Sequence, residues 1–129
     1  MNDELRTQKE EPKAAPDIHD RTFDFACRIV RLYEALRRKA GPGRAISTQL
    51  LKSGTSIGAN LEEARGGQSR ADFASKCCIA LKEARESHYW LRIVDACGIL
   101  PLQSIRPLVN EANEIVAILT TIVKRTSVR

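Results

Sequence analysis

A chain of 129 residues, 43% hydrophobic, 29% charged and only 5% aromatic, has the size of one domain. Folding at that length buries about two-thirds of the surface an unfolded chain exposes, so a core forms without staples. The composition favours packed helices over sheets, and the net charge of +5 with a pI near 9.3 favours polyanionic partners. No stretch approaches the roughly 18 apolar residues of a membrane span, and the first residues lack the apolar run of a secretory signal.

Residues 1–16 are polar and carry Pro12 and Pro16 without a periodic apolar face, which predicts a disordered N-terminal tail. A first helix is expected from Asp17 or Asp20, either able to cap it, to about Lys39. Phe25, Ile29, Leu32 and Leu36 form its apolar stripe, widened by Ala26, Val30 and Tyr33. Gly41-Pro42-Gly43 ends it. A second helix is expected from Arg44 to Arg65, with Ile46, Leu50, Ile57, Leu61 and Ala64 in register and Gly54 filling the missing position. The run from Ser53 to Asn60 is poor in helix propensity, each glycine costing about 1 kcal/mol against alanine. Close approach of a neighbouring helix at Gly54, Gly58 and Ala59 explains it; a loop at a ligand site is the alternative.

Gly66-Gly67 breaks the second helix, and Ser69-x-x-Asp72 opens a third that runs to about Cys97. Phe73, Cys77, Ala80 or Leu81, Ala84, His88 and Leu91 share its inner face, thickened by Tyr89, Trp90 and Val94. Lys82 and Glu86 are spaced for an i, i+4 pair, and Gly98 has the form of a glycine C-cap. A fourth helix follows Pro101, with Ser104 as its expected cap and Pro107 in its first turn. Leu108, Ala112, Ile115, Leu119 and Ile122 form its stripe, and residues 126–129 are expected to fray. The pattern predicts an all-α, antiparallel up-down-up-down four-helix bundle over residues 17–125. In that topology one end gathers Arg37, Arg38, Lys39, Arg44 and Arg106, and the other gathers Arg65, Arg70, Lys124 and Arg125.

Little in the chain suggests catalysis. Gly54-x-Ser56-x-Gly58 matches the nucleophile-elbow string, but that elbow needs a strand before the serine, and here both flanks are helical. Neither His19 nor His88 completes a Glu-x-x-His motif, and the cysteines Cys27, Cys77, Cys78 and Cys97 lack zinc-ligand spacing. Those cysteines read as small buried thiols in a reducing cytoplasm, so no metal or other cofactor is expected. Nucleic acid would be held through phosphates, since Tyr33, Tyr89 and Trp90 read as core or interface. The charges Asn60 aside, namely Glu62, Glu63, Lys76, Lys82, Glu83, Arg85 and Glu86, read either as a solvated face or, with Asn60, as a polar network that sets an oligomer's register.

The central segment resembles a known family on a long string of residues. These are Gln49-Leu50-Leu51, Ser53-Gly54-Thr55-Ser56-Ile57-Gly58-Ala59-Asn60, Glu63-Ala64, Ser69, Asp72-Phe73, Lys76, Ile79-Ala80-Leu81-Lys82-Glu83-Ala84-Arg85-Glu86 and Tyr89-Trp90-Leu91. Asp20-Arg21-Thr22-Phe23 with Phe25-Ala26 adds the opening, and the similarity covers about residues 17–124. The family is that of four-helix-bundle proteins encoded by intervening sequences in bacterial 23S ribosomal RNA genes. It is similar in turn to the accessory bundle proteins of diversity-generating retroelements, which are thought to bind nucleic acid and a reverse transcriptase. The resemblance implies a homopentameric ring with a basic surface and no enzymatic activity. Ribosomal or other structured RNA, DNA, or a partner protein are the partners expected; a membrane is not.

Overall fold

The computed structural model describes residues 17–127; the expected tail at 1–16 and the last two residues lie outside them. Four helices make up the fold: α1 (Ile18–Arg37), α2 (Pro42–Arg65), α3 (Arg70–Ala96) and α4 (Leu102–Ser127). Consecutive helices pack broadly on one another, whereas α1 and α4 meet at few points. The core is filled by Phe25, Ile29, Leu32 and Leu36 from α1, Ile46, Leu50, Ile57 and Leu61 from α2, Leu81, Leu91 and Val94 from α3, and Ile105, Leu108, Ile115 and Leu119 from α4. The spacing of these residues at three and four positions is what closes the bundle on its apolar stripes.

The caps follow from side-chain chemistry. Asp17, rather than Asp20, caps α1, its Oδ1 accepting from the Asp20 backbone N–H at 2.8 Å, and Ser69 Oγ accepts from the Asp72 N–H at 3.0 Å. Gly98 ends α3 at φ +64°, a left-handed conformation that lets the Ile99 N–H return to the Val94 carbonyl at 3.0 Å.

Two helices start earlier than the sequence suggests. Pro42 is the first residue of α2, where its missing N–H is no loss. In α4 the Pro101 carbonyl already accepts from Ser104 at 2.9 Å and Ile105 at 3.3 Å, so Ser104 is not the cap. Pro107 therefore stands inside the helix, leaving the Gln103 carbonyl, on an exposed residue, without its usual i+4 donor. The helix also continues through Ser127, into the segment expected to fray.

The Ser53–Asn60 run is helical throughout. Its hydroxyls turn back onto the preceding turn: Thr55 donates to the Leu51 carbonyl at 2.8 Å and Ser56 to that of Lys52 at 2.7 Å. The missing side chains serve packing against α1. A Cβ on Gly54 would lie 2.8 Å from Ile29 Cγ1, and one on Gly58 would lie 3.3 Å from Thr22 Oγ1. Ser53, next to Gly54, faces α3 instead, where its Oγ accepts from Ser87 Oγ at 2.9 Å in a buried contact. Ala59 takes no part in the close approach, because it is exposed.

Several residues expected in the core lie outside it. Val30 and Tyr89 are exposed, and Phe73, in the first turn of α3, keeps 38% of its surface. His88 is only half-buried because the neighbouring Ser87 takes the inward position. Of the cysteines, Cys77 alone is buried; Cys27 is half-buried, Cys78 and Cys97 are exposed, and all are free. The adjacent pair falls on different sides of α3, as two consecutive helical residues must.

Candidate functional site

Three arginines converge where the α2–α3 connection meets the end of α4. Arg65 closes α2, Arg70 opens α3 and Arg125 belongs to the last turn of α4. They line a cleft of ≈ 490 Å³ together with Ala64, Gly67, Gln68, Ser69, Phe73 and Thr126, and no carboxylate is among its lining residues. Arg65 reaches Glu62 only at 4.0 Å along its own exposed helix face. Arg70 and Arg125 form no ion pair among the described residues. Lys124, grouped with them by sequence, is exposed on the same turn of α4 but does not line the cleft.

The other basic group is placed by the contact of the α1–α2 and α3–α4 connections. A Cβ on Gly43 would stand 3.3 Å from Ile99 Cγ2 and 2.7 Å from Lys39 Cβ. Arg37, Arg38, Lys39 and Arg44 are exposed around that junction, with the Arg37 guanidinium 5.7 Å from the centre of the Tyr33 ring. Arg106 differs from them: its Nε donates to Asp95 Oδ2 at 2.8 Å, so its charge is already matched.

The polar residues of α2 and α3 divide in the same way. Glu63 and Lys76 bridge the two helices at 2.8 Å, and hydrogen bonding to Glu63 raises the Lys76 pKa. Asn60 Nδ2 donates to the Ser56 carbonyl at 2.9 Å, which keeps it within its own helix. Glu86 accepts from Trp90 Nε1 at 3.0 Å rather than pairing with Lys82 as the spacing suggests. Lys82, Arg85 and Glu62 are exposed. Glu83 is half-buried, and burial, followed by the charge of Glu86, pushes its carboxyl above the usual range. Burial, followed by the charge of Arg92, lowers the His88 pKa.

One ion cluster has no counterpart in the sequence reading. Arg21 donates through Nε to Glu111 Oε2 at 2.9 Å and through Nη2 to Glu111 Oε1 at 2.7 Å and Glu114 Oε1 at 2.6 Å, joining α1 to α4. These bonds raise the pKa of an already permanent cation. The residues are about 90 apart in sequence, and no local spacing flags the contact.

The string Gly54-x-Ser56-x-Gly58 lies in mid-helix, with the Ser56 hydroxyl bonded to a backbone carbonyl. Among the described residues no group of three or more His, Cys, Asp or Glu side chains could hold a metal ion. No described helix is long and apolar enough to cross a membrane.

The 23S rRNA-intervening sequence protein family matches residues 16–121. The chain belongs to that family. A crystal structure of a protein of unknown function from the S23 ribosomal protein family of Bacteroides thetaiotaomicron is 41% identical, covering 84% of this chain and 99% of the other, with a TM-score of 0.76. No functionally curated protein matches the sequence.

Proposed function

We propose that this family member is a non-enzymatic, cytoplasmic, oligomeric helical-bundle protein that binds structured RNA or DNA through its basic surfaces. The observation that carries the reading is the cleft at the α2–α3 connection, where Arg65, Arg70 and Arg125 come from three helices and meet no lining carboxylate. The exposed Arg38, Lys39 and Arg44 at the other junction add to it. Arginines paired weakly, as Arg65 is with Glu62 at 4.0 Å, or not at all release counterions when phosphates take their place, which makes binding strong at low salt and weakly dependent on sequence. Filter binding of ribosomal RNA fragments and duplex DNA across a salt series tests this: log affinity should fall linearly with log salt. No retention of either at low salt ends the reading.

The bundle is taken to be antiparallel, up-down-up-down. Support comes from paired positions that run in opposite senses: Gly54 with Ile29 and Gly58 with Thr22 between α2 and α1, and Ser53 with Ser87 and Glu63 with Lys76 between α2 and α3. The assembly is taken to be a homopentameric ring. The family resemblance implies it, and the apolar Phe23, Val30, Ile79 and Tyr89 left exposed on one chain give it surface to bury. Light scattering should return five times the chain mass at micromolar protein; a monomer mass overturns the ring.

One observation favours a second reading, a scaffold for partner proteins. Ile79, Lys82, Glu86 and Tyr89 fall at helical spacing on the outer face of α3, with Ile79 and Tyr89 both exposed. A pull-down that recovers a protein lost on Tyr89→Ser substitution, with no nucleic acid, supports it over the first.

A further inference from the structure

We propose that the cleft at the α2–α3 connection holds one unpaired nucleotide of a single-stranded or looped nucleic acid, its phosphates on Arg65, Arg70 and Arg125 and its base against the ring of Phe73. This rests on the nucleic-acid reading above and narrows it from phosphate backbone in general to an unstacked base.

The step from phosphate to nucleotide depends on Phe73. Its spacing from Cys77 predicts a core residue, yet the ring keeps 38% of its surface and lines the cleft with the arginines. It lies in the first turn of α3, where the helix has already passed the end of the core: Phe73 bonds back to the Ser69 carbonyl at 3.0 Å, and Cys77 is the first α3 residue fully buried. A phenyl ring flanked by cations suits the π-face of a base, and base–aromatic stacking is tolerant of sequence because every base has such a face.

The surroundings fit the same ligand. A volume of ≈ 490 Å³ falls in the range of roughly 300–1,000 Å³ typical of sites for small molecules, which is room for one nucleotide. Gln68 supplies both a donor and an acceptor to a base edge, and Ser69, whose Oγ accepts from the Asp72 N–H, still has its own hydroxyl proton to donate. No carboxylate is among the lining residues; the one close behind them is Asp72, whose Oδ2 would stand 2.6 Å from a Cβ on Gly67, and three arginine charges outnumber it. In a duplex both faces of each base are covered by stacking, so the ring distinguishes paired from unpaired substrate while the arginines do not.

Fluorescence anisotropy of the full chain with a short labelled single-stranded RNA, and with the blunt duplex of the same sequence, tests the assignment. Wild type should prefer the single strand. Phe73→Leu should weaken single-strand binding by about 5- to 100-fold and leave duplex binding unchanged, while Phe73→Tyr, which keeps the ring, should retain it. Arg70→Gln or Arg125→Gln should weaken both probes and lower the magnitude of the salt slope by about 1. Equal single-strand affinity for wild type and Phe73→Leu, or a wild-type preference for the duplex, overturns the nucleotide subsite and leaves phosphate binding standing. Absence of binding to both probes at low salt overturns the nucleic-acid reading itself, and the subsite with it.

Discussion

Helix α1 makes two seams, and they are closed by different physics. Against α2 the contact is steric: Gly54 sits under Ile29 and Gly58 under Thr22, so that the absence of side chains sets the distance between the helices. Against α4 the contact is sparse and electrostatic. Arg21 bridges Glu111 and Glu114 at 2.6–2.9 Å, and the same residues Arg21 and Glu111 line an open groove of ≈ 470 Å³ with Asp20, Asp24 and Arg28. Repulsion between close-packed atoms rises steeply, whereas an ion pair at a half-open surface can be exchanged with water. The first seam should therefore tolerate almost no change, and the second should tolerate a good deal.

The largest effect is expected at Gly54. A Cβ there would meet Ile29 Cγ1, Cγ2 and Cβ at 2.8, 2.9 and 3.2 Å, all three belonging to a branched, stiff side chain that is fully buried. Gly54→Val should lose about 2–3 kcal/mol in urea unfolding, the cost of forcing extra atoms into a packed core. In an Ile29→Ala background, which removes Cγ1 and Cγ2 and leaves only Cβ at 3.2 Å, the same substitution should cost much less, and the double-mutant cycle should report the coupling directly. An unfolding midpoint unchanged by Gly54→Val in the wild-type background would mean that the α1–α2 seam is not close-packed.

The α1–α4 seam should respond less. Arg21→Met keeps the apolar stem but removes charge-assisted hydrogen bonds and leaves the Glu111 and Glu114 carboxylates without their cation, a loss of about 1–2 kcal/mol. Because Glu111 is 19% exposed in its side chain, water recovers part of what the guanidinium gave. Thermal unfolding of this variant at low and high salt sharpens the contrast: the deficit should shrink as salt rises, while that of Gly54→Val should not change. A deficit for Arg21→Met equal to that of Gly54→Val would erase the distinction between the seams.

What could be read from the sequence follows the same division. The helices and the core stripes were legible because burial imposes a period on nearby residues, and Phe25, Ile29, Leu32 and Leu36 carry it within one helix. The close approach at Gly54 was legible because glycine in mid-helix costs propensity that only packing repays. The Arg21 cluster was not, since its partners lie on the far side of the chain and exposed charges carry no period. Phe73 misled for a related reason. The stripe gives the direction in which a side chain points but not where along the axis the core stops, and Phe73 stands beyond that limit. Chain topology grouped Arg65, Arg70, Lys124 and Arg125 at one end, but that the three arginines line one cleft and Lys124 does not required coordinates.

Gly58 tests the steric account at its finest scale. A Cβ there would lie 3.3 Å from Thr22 Oγ1 and 3.4 Å from the Thr22 carbonyl oxygen, tight rather than overlapping. Thr22 is buried and its hydroxyl is held by the Ile18 carbonyl at 2.8 Å, so it yields by a few tenths of an ångström at most. Alanine in place of glycine gains about 1 kcal/mol of helix propensity at either glycine. For Gly58→Ala that gain and the crowding should nearly cancel, leaving stability within about 0.5 kcal/mol of wild type. For Gly54→Ala the same gain meets a contact shorter by half an ångström, and the variant should be less stable than Gly58→Ala by about 1–2 kcal/mol. Since propensity is common to both, the difference between the two variants measures packing alone. Equal stabilities would show that propensity, and not the distance to α1, determines how this stretch responds to added side chains.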